Sequence, residues 1–388
     1  MPSVMRIAYV TTYDAKNIKN WSGTAHHMAR SLIEQSIELN YIGSLREKYS
    51  LLLKTKQHIS NYLSKKSLAK KYLRDRDPVI LKSYARQVSS KLSHLDSDIV
   101  FSPGTIPIAY LECQQPIIFW TDVTFRGLVN FYPEFTNLSP ETIRNGDAME
   151  ASALERCRLA IYSSDWAAET AVKYYGVEAS KVKVVPFGAN IEYNRNWQDI
   201  KVIVYSRPAN TCRLLFLGVD WYRKGGNIAF EVAQKLNDMG LNTELTVVGC
   251  QPIIKEPFPN FVKPLGFIKK SSSEGLRTIN KLLAESHFLI LPSVADCSPI
   301  VFCEANSFGV PCLSTDVGGI PTIIKDDLNG KIFPNSTGIS EYCAYIYSLF
   351  SDYSLYKDLA LSSFNEYQSR LNWSIAGQTV KKLLLEVM

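Results

Sequence analysis

The 388 residues carry 43 lysines and arginines against 37 aspartates and glutamates, a net charge of +6, and 46% of them are hydrophobic. That length exceeds one ordinary core and predicts two domains, and the composition excludes a disordered or low-complexity chain. No apolar run approaches the roughly 18 residues that a membrane-spanning helix needs, so an integral membrane protein is excluded as well.

The opening segment MPSVMRIAYVTTYD lacks the charged start, apolar centre and small-residue cleavage site of a signal peptide, so the protein reads as cytoplasmic. MRIAYVTTY has the look of a buried strand. After a polar loop, WSGTAHHMARSLIEQ places Ala25, Met28, Ala29, Leu32 and Ile33 at helical spacing, and IELNYIG follows as a second strand. Strand, glycine loop around Gly23, helix and parallel strand form the first unit of a doubly wound sheet. Between Arg46 and Lys91, thirteen cations, Lys48 among them, face only Glu47, Asp75 and Asp77. This run fits either a solvated helical face whose leucines and tyrosines turn inward, or a surface drawn to anionic lipid. It contains no nucleic-acid-reading motif. Asp75-Arg76-Asp77 and Asp96-Ser97-Asp98 spell an acid-x-acid pattern but lie in ordinary polar surroundings, and no metal site is expected from them. The eight cysteines, scattered through apolar runs without a C-x-x-C pair, read as reduced, packed thiols.

VKVVPFGANIEYNRNWQDIKVIVYSRPANT ends a strand at Pro186 and shows no clear period up to Cys212, so the connection between domains is expected here, with the second domain beginning near residue 190. CRLLFLGV, GGNIAFEVAQKLNDMG and TELTVVG then repeat the strand, helix, strand grammar.

The stretch HFLILPSVADCSPIVFCEANSFGVP delivers a strand to a loop containing Asp296. Ser298 is a candidate cap, Pro299 suits a first helical position, and Gly309 can stop the helix. The free N–H groups at Ile300 and Val301 suit a phosphate. Glu304, just over a turn further in, can accept hydrogen bonds from ribose hydroxyls, and Asp296 can hold those of a second sugar. Arg223 and Lys224, in GVDWYRKGG, stand where a strand ends and a helix begins, placed to neutralise a diphosphate without metal. Together these residues point to a nucleotide diphosphate sugar.

With those motifs in order, joined by VKPLGFI, STDVGGIP, NGKIF and a closing LNWSIAGQTVKKLLLEV, nearly the whole chain resembles the retaining glycosyltransferases of family 4, also called glycosyl transferases group 1. The resemblance implies the GT-B fold, an α/β architecture of two Rossmann-like doubly wound parallel-sheet domains facing across a cleft. Residues 1–189 would form the acceptor domain, with the helix 372–388 packing back onto it, and residues 190–371 the nucleotide-sugar domain. It further implies donor binding by Gly23, Arg223, Lys224, Phe267, Asp296, Ser298, Ile300, Val301 and Glu304, and catalysis by Asp122, Arg223, Lys224 and Asp296. Three positions depart from the family pattern: Asp296 stands for a glutamate, Val219 for an arginine whose charge Arg223 would supply, and Asp122, or its neighbour Thr121, for a histidine.

The expected activity is transfer of a hexosyl group from a UDP- or GDP-sugar to a glycan or lipid-linked acceptor, with retention of configuration, no cofactor and no metal. The expected partners are that donor and acceptor, with peripheral contact of residues 46–91 with anionic membrane and none with nucleic acid. A catalytically silent nucleotide-sugar-binding protein and a sugar-nucleotide epimerase of the same fold are the alternatives.

Overall fold

A computed structural model describes residues 4–47, 50–66, 70–191 and 195–388. The chain divides into two compact units, one running to Pro186 and taking in Ala376–Met388, the other spanning Phe187–Ile375.

In the first unit, strands β1 (Arg6–Val10), β2 (Glu38–Ile42), β3 (Ile99–Ser102), β4 (Ile117–Thr121), β5 (Cys157–Tyr162) and β6 (Val182–Val184) form one sheet in the order β2-β1-β3-β4-β5-β6. Every pairing is parallel. β3 and β4 are buried at every position, as continuous apolar runs must be when helices cover both faces of a parallel sheet. The helix Thr24–Ile33 turns Ala25, Met28, Ala29 and Leu32 into the core, while Ile33, expected on the same face, is exposed. From the C-terminal segment, Gly377 lies against that helix, where an added Cβ would come within 2.5 Å of the Ser31 carbonyl oxygen. Lys381 Nζ donates to the Gln35 carbonyl at 2.7 Å, fixing the same packing.

The second unit has β7 (Cys212–Leu217), β8 (Thr243–Val248), β9 (Val262–Gly266), β10 (Phe288–Leu291), β11 (Cys312–Thr315) and β12 (Gly330–Phe333), all parallel. Their order is β12-β11-β10-β7-β8-β9, so the winding reverses between β7 and β10, where Leu214 faces Phe288 and Leu215 faces Leu289. The architecture is the expected α/β one, with two doubly wound parallel sheets.

The aperiodic connection holds a surprise. Trp197–Ser206 is a helix with a complete capping box: the Asn196 side chain accepts from the N–H of Asp199, whose carboxylate accepts from the N–H of Asn196. Only Ile200 and Val204 of its residues are buried, too few to give the sequence a visible period.

All eight cysteines are free thiols, and six of them, Cys157, Cys212, Cys297, Cys303, Cys312 and Cys343, are buried. Among the described residues no helix is long and apolar enough to cross a membrane.

Candidate functional site

In a doubly wound sheet, ligands bind beyond the carboxyl ends of the strands at the point where the winding reverses. In the second unit that point is the exit of β7 and β10, and the loops leaving those strands carry GVDWYRKGG and PSVADCSP.

The two loops are laced together. Gly225, in the left-handed region at φ 76°, caps the helix Gly226–Asp238, and a Cβ there would meet the Pro292 carbonyl oxygen at 2.0 Å. Only glycine lets the β7 loop lie this close to the β10 loop. The Val294 N–H donates to the Arg223 carbonyl at 2.9 Å, and Arg223 Nη1 donates to the Ala295 carbonyl at 3.0 Å. Lys224 Nζ contacts Asp296 Oδ2 in a pair that is 9% and 6% exposed at its two residues. Two opposite charges out of water are tolerable only together. The second glycine of the motif thus brings Arg223, Lys224 and Asp296 to one place.

Glu304 is buried on the short helix Ile300–Asn306, where Lys270 Nζ contacts its Oε2. Lys270 belongs to the loop after β9, whose first residue, Phe267, is 74% exposed beyond a left-handed Gly266. Lys270 was not among the expected site residues. Its only trace in the sequence is the lysine pair in GFIKKSSS, which looks like loop polarity.

The expected cap is corrected. Pro299, not Ser298, is the residue preceding the helix, and no side chain caps it. A capping hydroxyl must reach back to the helix's first N–H groups, whereas the Ser298 hydroxyl is buried without a hydrogen-bond partner. Ile300 and Val301 are the first two helical residues, whose N–H groups no preceding turn can satisfy.

Gly23 and Asp122 belong to the first unit. Gly23, at φ 84°, starts the helix Thr24–Ile33 and follows Trp21 and Ser22, both also left-handed at φ 46° and 53°. Left-handed backbone at two non-glycine residues is strain of the kind that gathers at functional sites. Asp122 follows β4 and lines a cavity with Tyr13 from the loop after β1. Burial, reinforced by the nearby Asp122 charge, pushes the Tyr13 phenol up to about 12.

The acid-x-acid stretches have structural employment. Asp77 caps the helix Pro78–Leu92 and accepts from Tyr72, Asp75 meets Arg76, and Asp96 and Asp98 both face Arg6. The basic run differs from an inward-turned helix. On Ser50–Lys65, Leu51 and Leu52 are 80% and 85% exposed, and Ile59 and Tyr62 are exposed too, while Leu53 packs against the first unit's core. Lys48 lies outside the described residues.

Residues 211–352 match the family described as Glycosyl transferases group 1. Over 168 residues the chain is 24% identical to the UDP-Gal:alpha-D-GlcNAc-diphosphoundecaprenol alpha-1,3-galactosyltransferase of Escherichia coli, a match covering 42% of this chain and 43% of that one. The chain spans less than two thirds of the length of the curated relatives it matches. Among solved structures, a glycosyltransferase from Rickettsia africae superposes with a TM-score of 0.66 at 14% identity over 99% of both chains. Anabaena Alr3699/HepE in complex with UDP and glucose superposes with a TM-score of 0.63 at 16% identity, over 98% of this chain and 100% of that one. The fold is therefore the GT-B fold of these glycosyltransferases, and residues 211–352 carry the sequence pattern of group 1 within it.

Proposed function

We propose that this chain transfers a hexosyl group from a UDP- or GDP-sugar to a glycan or lipid-linked acceptor, with retention of anomeric configuration and without a metal ion. The observation that carries the reading is the lacing of Arg223, Lys224 and Asp296 at the reversal point of the second unit, with buried Glu304 supplied from the adjoining helix. Two protein cations placed where a diphosphate departs can stabilise charge as it develops, usually the largest contribution to a transferase's rate. Glu304 is a buried acceptor suited to ribose hydroxyls, and the unpartnered Ser298 hydroxyl is a further group left for a ligand.

In the reaction the bond from the anomeric carbon to the diphosphate oxygen breaks as the acceptor oxygen bonds to the same face of that carbon. The acceptor's proton leaves to the departing diphosphate. The complex of Alr3699/HepE with UDP and glucose supports a uridine donor, and the E. coli relative supports a lipid-linked acceptor in surface glycan synthesis. The exposed leucines of Ser50–Lys65, beside Lys54 and Lys65, support contact with anionic lipid, where such an acceptor resides.

Thermal shift with UDP and GDP tests donor binding; a ligand at one hundred times its dissociation constant adds about 2.7 kcal/mol. Incubation with UDP-glucose, UDP-galactose or a GDP-sugar and lipid-linked acceptor, in EDTA, should yield a new glycoside with the donor's anomeric configuration. Inverted product, or activity restored only by manganese, overturns the mechanism. Binding without product indicates a silent nucleotide-sugar binder, and an isomerised donor an epimerase.

A further inference from the structure

The two lysines of GFIKKSSS are neighbours with different surroundings. Lys269 is exposed and makes no ion pair among the described residues, whereas Lys270 Nζ contacts Glu304 Oε2, 34 residues away in the chain. The backbone decides which of the two reaches the acid. Ile268 packs on the second unit's core, and the Lys269 carbonyl accepts from the N–H of Ser272 at 3.1 Å and from its hydroxyl at 2.9 Å. Ser272 in turn caps the helix Ser273–Glu285 by accepting from the Gly275 N–H. That glycine also admits the Lys269 carbonyl oxygen, which a Cβ would meet at 2.2 Å. The turn is locked to the helix, and Lys270 leaves it at a fixed place.

The ion pair is uneven. The Glu304 side chain is 3% exposed and that of Lys270 42%, so the carboxylate lies just beneath an ammonium that stands half in water. Among the described residues Lys270 is the one donor to that carboxylate, and it reaches Oε2 alone. An ionised carboxylate offers about four acceptor sites, so Oε1 and part of Oε2 are left for a ligand. Lysine donates and cannot accept, so Lys270 fixes Glu304 as an acceptor in one orientation. A ring with two adjacent hydroxyls fits such a half-engaged carboxylate, each hydroxyl donating to a site the lysine leaves open.

We infer that Lys270 is a positioning residue for the nucleotide's ribose, aiming Glu304 at the 2′ and 3′ hydroxyls and so making the site select ribonucleotides over their deoxy forms. It acts through Glu304, not on the diphosphate or the reacting carbon. The inference rests on the transferase reading, in which Glu304 binds the donor's ribose.

Calorimetric titration of the full chain with UDP and GDP, and with the 2′,3′-dideoxy form of whichever binds, tests it. Wild type should prefer the ribonucleotide about tenfold or more. Lys270→Met should weaken the ribonucleotide about fivefold and leave the dideoxy form unchanged, while Lys270→Arg, which keeps the cation, should restore most of the preference. Because Lys270→Met strands a buried carboxylate, the same change is also made in Glu304→Gln, where no charge is stranded. In that background it should alter ribonucleotide affinity by less than about twofold. Equal weakening of both forms by Lys270→Met would place the lysine on the diphosphate and overturn the inference. Tighter ribonucleotide binding would make Lys270 a plug over Glu304 and overturn it too, as would a wild type that binds both forms equally. A wild type that binds neither UDP nor GDP overturns the transferase reading itself, and this inference with it.

Discussion

Glu304 and Lys224 are both charged groups held by one opposite partner, yet they differ in what removing them exposes. Lys270, the partner of Glu304, has a side chain 42% exposed and can turn to water, so Glu304→Ala should cost little stability. Its effect should fall on the ligand: UDP affinity drops about tenfold or more in calorimetric titration while the melting temperature stays near wild type. Unchanged UDP affinity would remove Glu304 from the donor site. The Lys224 and Asp296 side chains are 11% and 8% exposed, so deleting either strands the other's charge. Lys224→Met alone should therefore destabilise the second unit by about 3–5 kcal/mol, and the double variant Lys224→Met, Asp296→Leu by less than that. Urea unfolding of both variants decides it; simple additivity would mean the pair is not coupled. Arg223, Lys224, Asp296 and Glu304 were legible because each lies in a short local pattern around a strand exit. Lys270 was not, because its contact with Glu304 spans 34 residues and its own neighbours are loop-like.

At the scale of elements, periodicity was readable wherever a long face is buried. Gly226–Asp238 buries Ala229, Val232, Ala233 and Leu236 at helical spacing and was plain, whereas Trp197–Ser206 buries only Ile200 and Val204 and was missed. Its capping box at Asn196 and Asp199 was the available signal. The helix Ser50–Lys65 shows the opposite limit: its apolar residues were visible, but their direction was not. At about 100° per residue, Leu51, Leu52, Ile59 and Tyr62 share one outward arc, flanked by Lys54, His58 and Lys65 on one side and Lys56 on the other. Lys56 is partly engaged by Glu141 at 2.6 Å, so Lys54 and Lys65 are the helix's cations beside the exposed leucines. Leu51→Ser with Leu52→Ser should abolish most cosedimentation with vesicles containing phosphatidylglycerol, and salt should weaken the wild-type protein's binding. Binding equal on neutral vesicles, or unaffected by the leucine changes, would return this helix to a solvated face.

For the whole molecule, two buried titratable groups give the two units opposite responses to pH. His287, in the second unit, accepts from the Arg213 N–H on Nδ1 at 3.0 Å. Its Nε2 lies 3.0 Å from the Tyr353 hydroxyl and 3.1 Å from the Pro208 carbonyl, which fixes the neutral tautomer with the proton on Nε2. Burial first, then the charge of Arg207, lowers its pKa from 6.5 to about 3. The unfolded chain therefore binds this proton first, and the second unit loses stability as pH falls from about 6.5 towards 3. Glu150, in the first unit, has the reverse sign: its folded pKa of about 7 exceeds the ordinary 4.5, so the folded chain binds the proton first. Its contribution is fully present below 4.5 and is lost as pH rises through about 7. His27, also in the first unit, is lowered to about 4 by burial and by the nearby His26 and Arg30, and it masks part of that trend in wild type. The comparison with Glu150→Gln removes the mask, because His27 is common to both proteins. Glutamine keeps the shape and cannot ionise, so the variant's stability relative to wild type should rise between pH 4.5 and 8. The interval from 4.5 to about 7 sets the size of that rise at roughly 3 kcal/mol at most. Calorimetry that resolves the two units, at both pH values, reads it as a shift confined to the first unit's transition. A stability difference that does not change with pH would mean that Glu150 is already ionised in the folded protein.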